Sequence, residues 1–70
     1  MRSARIDGVI ASVPDLNGRV LAIYEIYVGL RGQLRVGLVD HLGRVYHYDA
    51  SELSLNTATR YRFEQLVGLA

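Results

Sequence analysis

The chain has no cysteine and no tryptophan, and only one proline in 70 residues. Without cysteine there is no disulfide, no thiolate zinc site and no thiol nucleophile. The two histidines, His41 and His47, lack carboxylate partners at ligand spacing, so no metal and no other cofactor is expected. Lysine is absent too: all eight basic residues are arginine, against seven acidic residues, for a net charge of +1. That balance gives no bulk attraction to nucleic acid or to an anionic membrane. The missing lysine fits coding bias in a GC-rich genome better than selection for bidentate recognition. No apolar run approaches the roughly 18 residues of a membrane-spanning helix. The N-terminus lacks the basic, apolar, small-residue order of a secretory signal, and the expected location is the cytoplasm. No phosphate-binding glycine pattern is present.

Half of the residues are hydrophobic, enough for one small core. The expectation is a single β-rich domain over 1–70, with 1–5 frayed. A chain of this size folds near the lower limit of independent stability. With disulfides and metals excluded, self-association is the remaining source of extra stability.

The stretch from Arg19 to Tyr48 organises the rest. Arg19–Leu30 is rich in Val, Ile and Tyr, types that fit a pleated surface. Arg31-Gly32 reads as a two-residue hairpin loop to a second strand, Gln33–Asp40. His41-Leu42-Gly43 reads as a three-residue loop, with Gly43 left-handed, to a third strand, Arg44–Tyr48. Upstream, Ile6–Val13 reads as a strand in which Gly8 marks a bulge or a close backbone approach. Pro14-Asp15-Leu16-Asn17-Gly18 is the turn that joins it to the long strand. A strand of that length is expected to bend near Glu25 or Gly29.

The two-residue loop predicts Leu30 opposite Gln33 and Tyr27 opposite Val36. The three-residue loop predicts Leu38 opposite Tyr46 and Val36 opposite Tyr48. By alternation, Ile23, Glu25, Tyr27, Leu34, Val36, Leu38, Tyr46 and Tyr48 share one face. Tyr24, Ile26, Val28, Arg35, Val39, Val45 and His47 share the other. Neither face is polar throughout, so both need cover: from the chain ends, from curling, or from a second copy.

Downstream, Asp49 and Glu52 have the spacing of a capping box around a short helical turn at 49–53. In Asn56–Ala70, Thr59, Phe63, Leu66, Val67 and Ala70 recur at helical spacing, with Asn56 as cap and Gly68 as stop. Arg60–Glu64 alternates as a strand would, but the helical pattern covers more residues. The order of elements resembles the small SH3-like barrels. The expected fold is therefore mainly β: an antiparallel meander curling towards an SH3-like barrel, with a C-terminal helix. That architecture carries many functions and transfers no site.

One constellation has chemistry in it: Tyr24, Tyr27, Tyr46 and Tyr48 with Arg31, Arg35 and Arg44. Aromatic rings interleaved with arginine on a sheet can hold single-stranded nucleic acid by stacking and phosphate contact. The predicted register instead places three of the tyrosines among aliphatic residues, as core or interface. His47 with Asp49 suggests a general base, but no Ser or Cys nucleophile accompanies them, and a half-buried strand histidine is the simpler reading. Asp40 in its turn fits an aspartate bonding its own backbone. Glu25 fits a solvent-facing or arginine-paired carboxylate rather than an unpaired buried one. The expected function is a non-enzymatic interaction module that self-associates or takes a protein or peptide partner through a sheet face or edge. The alternative is a small nucleic-acid-binding protein using the Tyr/Arg surface.

Overall fold

The computed structural model describes residues 2–70, the side chain of Asp15 excepted. Met1, part of the segment expected to fray, lies outside them. Four strands form one antiparallel sheet in the order β1-β2-β3-β4: β1 Ser3–Val13, β2 Arg19–Val28, β3 Leu34–Val39 and β4 Val45–Asp49. Short 3₁₀ turns follow β1 at Pro14–Leu16 and β4 at Ala50–Glu52, and a helix, α1, spans Thr57–Leu66. The sheet is open; among the described residues β1 and β4 are its two edges and do not pair.

Local sequence accounts for each boundary. At the first turn Asn17 and Gly18 are both left-handed, at φ 60° and 71°, the pair best suited to that region. At the end of β4 the Asp49 N–H donates to Glu52 Oε2 at 2.9 Å, one half of the expected capping box. Asn56 caps α1, its Oδ1 accepting from the Thr59 N–H at 2.7 Å. Gly68, at φ 80°, ends the helix. Only the first strand begins earlier than its sequence suggests. Ser3–Arg5 are not frayed but paired with Tyr27, Ile26 and Glu25.

The core lies on one side of the sheet. Ile6, Ala11, Val13, Leu21, Ile23, Ile26, Leu34, Val36 and Leu38 come from the strands. Ala50 and Leu53 close it from the second 3₁₀ turn, Phe63 and Val67 from the C-terminal helical segment. Burying this set supplies the main favourable term for the fold.

The β2–β3 register differs from expectation by one residue. The loop is Leu30-Arg31-Gly32: the Gly29 N–H donates to the Gln33 carbonyl at 2.8 Å, and the Gly32 N–H to the Gly29 carbonyl at 3.0 Å. Gly32, at φ 77°, takes the same third-position, left-handed role that Gly43 takes in the next loop. Tyr27 therefore pairs with Arg35, and Ile26 with Val36. The slip exchanges faces, as a one-residue slip must. Ile26 and Val28 turn to the core side, and Tyr27 turns outward. The β3–β4 register is as expected, with Val36 opposite Tyr48 and Leu38 opposite Tyr46.

Two bulges bend the sheet. Tyr24 is an extra residue between the Ile23–Leu38 and Glu25–Gly37 pairs, which lets Ile23 and Ile26 both face the core. On β1, residues 6–8 stand between the Arg5–Glu25 and Val9–Ile23 pairs, with Gly8 left-handed at φ 78°.

Candidate functional site

The outer face of the sheet, opposite the core, carries most of the chemistry-bearing residues. Strand pairing arranges them in cross-strand rows. Ser3, Tyr27, Arg35 and Asp49 form one row, and Arg5, Glu25, Gly37 and His47 the next. Beyond the bulge the rows become apolar: Ile10, Ala22, Val39 and Val45 stand side by side across all four strands, with Ser12 and Val20 next.

In the polar half the side chains hold one another. The Arg35 guanidinium donates to Asp49 Oδ1 at 2.8 Å, and Arg31 lies 4.0 Å from the same carboxylate. The Arg35 hydrogen bond keeps the Asp49 carboxyl below its usual range, outweighing partial burial. The Tyr27 hydroxyl lies 3.0 Å from His47 Nδ1, and the two rings meet edge to face at 5.8 Å. His47 is exposed, not half-buried as its strand position suggests. It shares the outer face with Asp49, but its partner is Tyr27, while Asp49 is engaged by Arg35. No general-base pair is assembled.

The Tyr24 ring packs against β3 at Gly37, which leaves room for it. A Cβ at Gly37 would sit 2.8 Å from Tyr24 Cε1 and 3.0 Å from Glu25 Cγ. The Arg5 guanidinium stands over the ring, 5.9 Å from its centroid. At the end of this half, Tyr27, Leu30, Arg31, Gln33 and Arg35 line an open groove of about 580 Å³.

The expected Tyr/Arg constellation therefore divides. Tyr24, Tyr27, Arg31 and Arg35 come together on or beside the outer face. Tyr46 and Tyr48 lie on the other side, half-buried against the core. Arg44 sits at the far turn, in a cluster built on Asp40. The Asp40 side chain is fully shielded. Its Oδ1 accepts the Leu42 and Arg44 backbone N–H groups, each at 2.9 Å. Its Oδ2 accepts Arg44 Nε at 2.8 Å and the Tyr46 hydroxyl at 3.1 Å. Burial pushes this carboxyl up, but the converging donors more than offset it, and the group stays ionised far below the usual carboxylate range. This cluster is a turn anchor: its oxygens are used by its own loop.

Sequence reasoning missed the row Ile10, Ala22, Val39, Val45, together with Arg5 and Gly37. A signal for part of it was available. Gly32 and Gly43 stand at equivalent places before β3 and β4, and treating the two loops alike puts Tyr27 outside. The strand's length pointed to a bend near Glu25, which the bulge at Tyr24 supplies, but not to the residue that makes it.

Among the described residues, no group of three or more His, Asp or Glu side chains is placed to hold a metal ion. No helix is long and apolar enough to cross a membrane. Comparison of the chain with protein-family models, curated proteins and solved structures returns no match.

Proposed function

We propose that this chain is a non-enzymatic interaction module on an SH3-like scaffold, and that it self-associates through its sheet. One observation carries the reading. Ile10, Val20 and Val45 stand on the solvent side at 64%, 65% and 49% exposure, although a complete core occupies the other side. Exposed apolar side chains grouped in this way mark interaction surfaces. The SH3-like element of the reading is supported by the meander and the single 3₁₀ turn that follows its last strand. A protein or peptide partner would use the same face or a free edge. Light scattering across a dilution series tests self-association: the expected mass is a multiple of one chain, falling on dilution. A single-chain mass at every concentration refutes it.

A second reading, single-stranded nucleic acid, gains from one specific observation. Tyr24 and Tyr27 are on the solvent side beside Arg5 and Arg35, where a base can take the place of the Arg5 guanidinium and a phosphate can compete with Asp49 for Arg35. Its test is fluorescence anisotropy with labelled oligonucleotides at several salt concentrations. Binding that weakens steeply with salt supports it, because phosphate contacts release counterions. Salt-independent or absent binding removes it.

A further inference from the structure

We infer that two copies of the chain pack outer face to outer face across the row Ile10, Ala22, Val39 and Val45, and not edge to edge. This rests on the self-association proposed above and assigns its surface. The two edges are poor templates for strand pairing. β1 is interrupted at residues 6–8, where Gly8 is left-handed and Asp7 is exposed, the kind of break and charge that blunts an edge. β4 is five residues long and runs at once into the 3₁₀ turn at Ala50.

The outer face has the opposite character. Its apolar row is unbroken from β1 to β4, and Val20 widens it on the interior strand β2. Ala22, small and exposed, lies among Ile10, Val20 and Val39, so the row has a hollow flanked by larger aliphatic groups. A hollow beside projections is the relief that a two-fold axis makes self-complementary. The molecule measures 30 × 23 × 21 Å between its Cα extremes. A side of its two longer dimensions, polar half included, covers roughly 700 Å², against the ~800 Å² per partner of a standard interface, so the contact takes in the polar half as well as the apolar row. Tyr24, Arg5, Glu25 and His47 then border the apolar centre, with Tyr27 and Arg35 one row further out, a polar rim around a dry centre.

The test uses two variants in the cysteine-free chain, with light scattering of the native protein alongside. Val20→Arg/Ala22→Arg changes two exposed positions on β2, an interior strand, and leaves both edges untouched. Circular dichroism reports whether it folds. Ala22→Cys gives one thiol per chain, to be joined by a bis-maleimide spanning the ~10 Å between packed sheets, with Asp7→Cys as the edge control. The expected result has three parts: twice the single-chain mass for the native protein, a single-chain mass for the arginine variant, and at least tenfold more cross-linking through Cys at 22 than at 7. A native dimer that survives both arginines, or that cross-links through position 7 instead of 22, overturns the inference and leaves self-association standing. A native protein of single-chain mass at all concentrations overturns both.

Discussion

Asp40→Asn lowers the thermal midpoint by roughly 5–15 °C, the largest expected effect of any polar substitution in the chain. The carboxylate accepts four hydrogen bonds from its own loop and from Tyr46, within a side chain that reaches no solvent. The amide keeps one oxygen for the Leu42 and Arg44 N–H groups, but it presents a donor to Arg44 Nε, leaving that charge without its acceptor. The same carboxylate shapes the acid response. Its folded ionisation lies well below the ~3.9 of an unfolded aspartate. The stabilisation is therefore complete above about pH 4 and drains away as pH falls further, towards the folded value. Asp49 is shifted in the same direction by Arg35 and adds to the loss. Thermal melts between pH 2 and pH 7 check this. The native protein loses stability steeply below about pH 4, and Asp40→Asn flattens much of that limb. Equal midpoints with parallel acid limbs would show that Asp40 does not anchor the turn.

Ile26→Ala costs about 2–5 kcal/mol, whereas the neighbouring Tyr27→Ala costs about 1 kcal/mol. Ile26 is fully buried and Tyr27 is on the outer face. A domain of this size has only ~4–10 kcal/mol of stability in total, so the first change removes a large share of it. Urea denaturation of both variants measures the difference. It is also a direct test of the hairpin register: with Leu30 opposite Gln33, Tyr27 would occupy the core side and the order of the two costs would reverse.

That register shows how far the sequence could be read. The strands, the loop glycines, the Asp49–Glu52 cap and the Asn56-capped helix were all legible, because each is set by residues within a few positions of one another. Gly8 was legible as a bulge or a close backbone approach, the two common uses of a glycine inside an apolar strand, and the pairing makes it the bulge. The bend of β2 near Glu25 was legible from the strand's length, but the extra residue that makes it, Tyr24, was not. It is a compromise among three strands: an extra residue on β2 lets Ile23 and Ile26 both reach the core, and Gly37 on β3 makes room for the displaced ring. No window of β2 alone contains that information. The candidate site inherits the error. Tyr27, Tyr46 and Tyr48 were expected on one face, and the one-residue slip separates Tyr27 from the other two.

By itself the sequence determined the chemistry that is excluded with cysteine, the number and order of strands, the place of each turn though not the length of the β2–β3 loop, and a helix at the C-terminal end. Those follow from composition and from short-range backbone preference, which each segment carries wherever it is placed. Only the tertiary structure decided which side chains face the core, because burial is a property of paired strands. It also decided that the Tyr24 ring packs against Gly37, and that Ile10, Ala22, Val39 and Val45 stand in one row. Four residues from four strands have no common pattern along the chain; hydrogen-bonded pairing is what brings them to one line.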